Sequence, residues 1–163
     1  MPLSYQPENW TWRSEKLDPG PAVVFDVDGV LADASHRQHL ITGFRHDWMG
    51  FFDQCGKDAL IGETATVAKL LAPELTIILL TARPSRVEPE TVEWLGRHDV
   101  RWDLLIMREY GDYSYARDFK HYTVAELRAY GFDLQLAFED DPRNQMMFDR
   151  EGIPCVYIHS GYH

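Results

Sequence analysis

Cysteine, lysine and long apolar runs are all scarce in this chain. Its two cysteines, Cys55 and Cys155, lie far apart and form no CxxC pair. That argues against a disulfide framework or a thiolate metal site and for free thiols in a reducing compartment, so a cytoplasmic protein is expected. The longest apolar run covers 75–80 with Thr76 inside it, far too short to cross a bilayer. Met1–Asn9 has no basic patch followed by an apolar stretch, so neither a secretory leader nor a membrane role is expected. Positive charge is also in short supply, with 16 basic residues against 26 acidic ones and a net charge of −10. A tight, non-specific nucleic-acid binder needs a basic face, which this balance disfavours. Only Lys16, Lys57, Lys69 and Lys120 are lysines. The other basic residues are arginines, whose planar fork suits a single phosphate.

What is present reads as one domain. The 163 residues are 45% hydrophobic and 26% charged, within the range of an ordinary globular chain. Residues 1–21 are polar, unperiodic and rich in proline and aromatics, and are expected to be an N-terminal arm. From 22 to 163, five short apolar runs alternate with stretches of helical length. The runs are 22–26, 75–80, 103–107, 134–138 and 155–158, each of buried-strand type. Helices are expected over 63–71 and 89–97. A third is expected from the capping-box spacing of Thr123 and Glu126 to Tyr130, ended by Gly131. A fourth starts at Asp141-Pro142 and closes at Gly152. Such alternation predicts an α/β fold, a doubly wound parallel sheet covered on both faces. Residues 31–62 fit no simple crossover and predict a small helical insert after the first strand. Ligands of such sheets bind beyond the carboxyl ends of the strands, so Asp26, Thr81, Arg108 and Asp140 should converge on one edge.

Four groups of residues could carry chemistry there, each with a plainer reading beside it. Asp26 and Asp28, two apart at a strand end before Gly29, can face one cleft if the chain turns sharply. One could attack phosphorus and the other move a proton; equally, Asp-x-Asp-Gly is a polar strand-to-turn junction. Thr81 could donate to a phosphoryl oxygen and Arg83 fork onto phosphate, or Thr81 simply caps a turn. Lys120 could neutralise nucleophile and phosphate together, or lie solvated at the surface. Glu139, Asp140 and Asp141 repel one another unless a cation such as magnesium joins them, although Asp141 is also a good helix cap. The histidines of the insert, His36, His39 and His46, have no matching Cys or Glu partner, and surface or packing roles are expected for them. Gly50 and Gly56-Lys57 are misspaced for a phosphate-binding loop, with Asp58 where a Ser or Thr is required.

Taken together and in this order, the four groups resemble the motifs of the haloacid dehalogenase (HAD) superfamily of phosphotransferases. They are DVDGV at 26–30, the threonine of LLTARP at 81, Lys120, and EDD at 139–141. The resemblance implies Asp26 as nucleophile of an aspartyl-phosphate mechanism, Asp28 as general acid/base, and Thr81 and Lys120 as phosphate ligands. It also implies Mg2+ held by Asp26, the backbone carbonyl of Asp28, and Asp140 or Asp141. Val30 stands where the family usually has threonine. A narrower resemblance, carried by Arg37, Arg83 and Arg108, is to the 3′-phosphatase domain of phage-type polynucleotide kinase-phosphatases. There an arginine follows the acidic pair directly; here Pro142 intervenes before Arg143. The resemblance implies these four arginines as substrate-binding residues and 3′-phosphorylated nucleic acid ends or nucleotides as substrates. Two other readings are a phosphatase of small metabolites or nucleotides, and a non-catalytic module that holds phosphate ends. A pure binder would need neither Asp26 nor Asp28.

Overall fold

The computed structural model describes residues 6–163. Its sheet has six strands in the order β1-β6-β5-β2-β7-β8. These are β1 (Trp10–Trp12), β2 (Pro21–Phe25), β5 (Thr76–Pro84), β6 (Leu104–Arg108), β7 (Asp133–Glu139) and β8 (Cys155–Tyr157). The strands from β2 onward pair in parallel. The chain leaves β2 to build β5 and β6 on one side and β7 and β8 on the other, so the carboxyl end of β2 lies at the switch point.

Side chains alternate faces along a strand, and β2 divides its residues accordingly. Val23 and Phe25 enter one apolar cluster with Ile77, Leu79, Trp94 and Leu95. Ala22 and Val24 enter the other, with Ile78, Leu80, Val124, Leu127 and Phe148. Helices α2 (Gly62–Leu70) and α3 (Glu88–Arg97) cover the first face; α4 (Ala116–Tyr130) and α5 (Pro142–Arg150) cover the second. Burial on both faces explains why the strands read as nearly unbroken apolar runs.

Two local expectations change. Residues 10–12, expected within a lead-in arm, form an edge strand antiparallel to β6. The aromatic content of that segment is core material: Trp10 is buried with its ring 5.1 Å from that of Tyr130. The capping-box spacing at Thr123 does not open a helix, because α4 already begins at Ala116. Thr123 is buried mid-helix and its hydroxyl donates to the Phe119 carbonyl one turn back. The other end of α4 is as expected, with Gly131 in the left-handed conformation at φ +116°.

Between β2 and α2 the chain forms the insert. Strands β3 (Ala32–Asp33) and β4 (Ala59–Leu60) pair antiparallel as a two-stranded ribbon at its base. Between them lie a 3-10 turn over Ser35–Leu40, the short helix α1 (Trp48–Asp53) and a second turn over Cys55–Lys57. Among the described residues no helix is long and apolar enough to cross a membrane.

Candidate active site

The site begins where β2 ends. The Asp26 N–H still donates to Phe138 O on β7 at 3.0 Å, which fixes Asp26 to the sheet. Then the chain reverses. The N–H groups of Leu31 and Ala32 both return to Val27 O at 2.9 Å, and Gly29 takes φ +82°. Glycine is needed here twice over, because a Cβ at Gly29 would also collide with Asp140 Oδ2. Val30, the departure from the usual threonine, is fully buried in the core.

Four charged side chains meet beneath this turn. Lys120 reaches from α4, buried, and places Nζ 3.0 Å from Asp26 Oδ1 and 2.8 Å from Glu139 Oε2. Carboxylate oxygens of Asp26, Glu139 and Asp140 lie within 4.8 Å of one another, all three residues buried. Burial and then the Glu139 and Asp140 charges push the Asp26 carboxyl well above its ordinary range, against the pull of Lys120. Burial acts the same way on Asp140, but hydrogen bonding with His163, Asp26 and Ser160 brings it down to about 2. Three carboxylates thus crowd around one ammonium, with the His163 ring 3.5 Å from Asp140, and full ionisation of all three leaves an excess of negative charge. A hard divalent cation matches that excess and that oxygen donor set. Glu139 is committed to Lys120, which leaves Asp26 and Asp140 as the available side-chain ligands. The close approach of the Gly29 backbone to Asp140 keeps this corner narrow.

Asp28 stands in a second ionic cluster. Its Oδ1 accepts from Arg37 Nη2 at 2.7 Å and from Arg83 Nε and Nη2 at 3.0 and 2.7 Å. Both arginines are wholly buried, and both also bond Asp58, which is itself buried. Arg37 forks onto Asp58 at 2.9 and 2.7 Å, Arg83 reaches it at 3.1 Å, and His36 Nε2 lies 2.7 Å from it. Burial would raise the Asp28 carboxyl, yet Arg83 and then Arg37 hold it below its ordinary value. The expectation aimed Arg37 and Arg83 at substrate. In the structure neither lines the cleft, and their guanidinium groups are spent on the two aspartates. They hold Asp28 rather than face the solvent.

The remaining residues line one open cleft of about 800 Å³ together with Asp26, Asp28 and Lys120. Thr81, buried at the end of β5, accepts the Arg83 N–H at 3.1 Å, so its own proton stays free to donate. Arg108 lines the cleft with its Nε buried and without a hydrogen-bond partner among the described residues. Asp141 caps α5 by accepting from the Arg143 N–H at 2.9 Å, and its Oδ2 takes the Arg143 Nη2 at 2.9 Å. Asp141 is therefore occupied, whereas Asp140 belongs to the acidic cluster. Ser160 Oγ donates to Asp140 at 2.7 Å.

Sequence reasoning missed Ser160 and His163, which contact Asp140 from the end of the chain, and two further residues. Glu139 was part of the acidic triplet but not set beside Lys120, although lysine and acid each follow from the same motifs. Asp58 carried no signal at all, being one acid in an irregular insert.

The chain is similar to several known proteins. Residues 20–163 match the family described as the polynucleotide kinase PNKP phosphatase domain. A candidate nucleotidase of Bacillus subtilis, YqfW, is 29% identical over 119 residues, covering 71% of this chain and 55% of that protein. A chain in the structure of the Pnkp1/Rnl/Hen1 RNA repair complex superposes with a TM-score of 0.71 at 22% identity, over 97% of this chain and 48% of that one. A candidate HAD-like phosphatase of Mesorhizobium loti gives 0.58 at 15% identity, over 93% and 79%. This chain spans about half the length of the first two relatives. The domain therefore belongs to the PNKP phosphatase family of HAD hydrolases.

Proposed function

We propose that the domain is a magnesium-dependent phosphomonoesterase acting through an aspartyl-phosphate, with 3′-phosphorylated nucleic acid ends as its substrates. The observation that carries this reading is the pairing of two differently held carboxylates at the floor of one open cleft. Asp26 lies against Lys120, and Asp28 is gripped by two buried arginines.

In the first half-reaction an Asp26 carboxylate oxygen attacks phosphorus and the ester oxygen departs with a proton from Asp28. In the second, Asp28 takes a proton from water, whose oxygen attacks phosphorus and releases Asp26 and inorganic phosphate. Asp28 is ionised at rest, the form suited to the second half. An arriving phosphate dianion raises its proton affinity and primes the first. Thr81 Oγ and Lys120 hold the phosphoryl oxygens, and Glu139 fixes the ammonium between nucleophile and substrate. Asp26, Asp140 and the backbone carbonyl of Asp28 would hold Mg2+, which supplies charge neutralisation for both Asp26 and the phosphoryl group.

The substrate assignment is supported by the openness of the cleft and by the insert. Its short helices and two-stranded ribbon are too small to seal a metabolite from water. Arg108 supplies positive charge there, and the RNA repair relative supports nucleic acid ends. The test is phosphate release, with and without Mg2+, from 3′-phosphorylated and 5′-phosphorylated oligonucleotides, free nucleotides and sugar phosphates. The highest kcat/KM is expected on 3′ ends, with no turnover by Asp26→Asn. A tenfold preference for free nucleotides would favour the nucleotidase reading that the Bacillus relative raises.

A further inference from the structure

The mouth of the cleft carries apolar surface that phosphate chemistry does not use. One wall is Trp48 and Met49 of α1, about half exposed at 50% and 58%. A second is Tyr110, Tyr113 and Tyr115 of the loop after β6, exposed by 64%, 88% and 77%. Exposed apolar side chains gathered in one cleft, unlike those scattered singly, mark an interaction site. Both walls line the same cleft as Asp26, so a substrate whose phosphate lies at Asp26 can extend over them.

Both walls are also held in place. The Trp48 ring packs on Phe51 and Phe52, with centroids 5.7 and 6.0 Å away. Arg86 ties α1 to the segment after β5 by donating to Met49 O at 3.1 Å and pairing with Asp53. In the loop after β6, the Tyr110 N–H donates to Ser85 Oγ at 3.1 Å. Asp112 accepts both the N–H and the hydroxyl of Ser114, at 2.9 and 2.6 Å. Arg108, with its free guanidinium nitrogen, sits at the root of the tyrosine wall.

We infer that these two aromatic walls are a stacking site for the terminal nucleobases of a single-stranded 3′ end whose phosphate lies at Asp26. The inference rests on the proposed phosphatase reading and names how that site recognises its substrate. Three observations favour nucleobases over other occupants. Four of the five exposed side chains are aromatic, Met49 being the exception, and every base has a π-face. The walls flank Arg108, a cation lining the same cleft whose Nε has no hydrogen-bond partner among the described residues. The net charge of −10 withholds the field that would grip a backbone electrostatically, so affinity must come from stacking. Recognition is then indifferent to base identity but dependent on a base being present.

The experiment compares three substrates with Mg2+ present: a 3′-phosphorylated oligonucleotide, the same strand with its last two positions abasic, and acetyl phosphate, which has no ring. The wild type should favour the base-bearing end over the abasic end by roughly 5- to 100-fold in kcat/KM, mainly through KM. A Trp48→Ala/Tyr113→Ala double variant should lose that preference and lower the ratio of oligonucleotide to acetyl phosphate turnover by a similar factor. Tyr113→Phe, which keeps the ring, should retain both. Equal wild-type rates on base-bearing and abasic ends would overturn the inference. So would a double variant that keeps the wild-type preference. A separate readout protects the distinction from the phosphatase reading. Binding of a labelled oligonucleotide to Asp26→Asn protein, followed by anisotropy, should weaken in the double variant whether or not any end is hydrolysed. If no phosphate is released from any substrate but this base-dependent binding persists, the phosphatase reading falls and the stacking site stands.

Discussion

Asp58 is the residue whose removal tests the ionic framework most directly, because it touches no substrate. Its carboxylate is wholly buried and accepts from Arg37 at 2.9 and 2.7 Å and from Arg83 at 3.1 Å. In Asp58→Asn the shape survives but the charge is lost. An amide N–H2 must also face guanidinium donors, leaving two buried cations with Asp28 alone. Breaking a buried pair by removing one partner costs about 3–5 kcal/mol. A domain of this size loses roughly 2–4 °C of Tm per kcal/mol, so a fall of about 6–20 °C is expected. That stays within the roughly 5–15 kcal/mol that a folded domain possesses, so the protein should still fold at 25 °C. Catalysis should change in a specific way. With both guanidinium groups resting on Asp28, its carboxyl is held lower still and gives up a proton less readily to the leaving oxygen. Turnover of alkyl phosphates, which need that proton, should fall further than turnover of aryl phosphates. Thermal unfolding and a leaving-group series, both at fixed Mg2+, provide the measurements. A Tm within 2 °C of wild type, or equal losses across the series, would refute the reasoning.

Asp28→Asn should destabilise the fold at pH 7 but lose that effect in acid well below 3.8. The folded carboxyl lies below its ordinary 3.8, so its stabilisation is complete above that value and disappears as pH falls through the lower one; wild-type and variant Tm values should converge in acid. Asp26→Asn should abolish turnover yet melt at or above the wild-type temperature in chelator. The Asp26 carboxyl is raised in the fold, so its ionisation costs stability as pH rises through that value; a lower Tm would contradict the assignment. Gly29→Ala should cost about 1–2 kcal/mol for a left-handed residue carrying a Cβ. It should also weaken Mg2+ binding by displacing Asp140, read by titration calorimetry. Asp140→Asn should lose Mg2+-dependent activity at nearly unchanged Tm, while Asp141→Ala should lose about 1 kcal/mol as a helix cap; an Asp141 variant that alone loses metal response would reverse their roles.

The sequence alone determined the strands and the residues that end them. Five apolar runs between helical stretches can bury both faces only as a covered parallel sheet, and that rule carried Asp26, Thr81, Arg108 and Asp140 to one edge. Local rules also set the turn at Gly29 and the caps at Gly131 and Asp141, because those depend on backbone conformation a few residues long. Tertiary structure decided what depends on contacts between distant segments. A three-residue edge strand such as β1 has too few positions to show a period, so Trp10 and Trp12 read as an arm until pairing with β6 gives them a place. The arginines show the same limit more sharply. A guanidinium serves phosphate and carboxylate through the same fork, and no motif distinguishes the two uses. Only the insert, by bringing Asp58 beneath Asp28, commits Arg37 and Arg83 to carboxylates and leaves Arg108 free in the cleft.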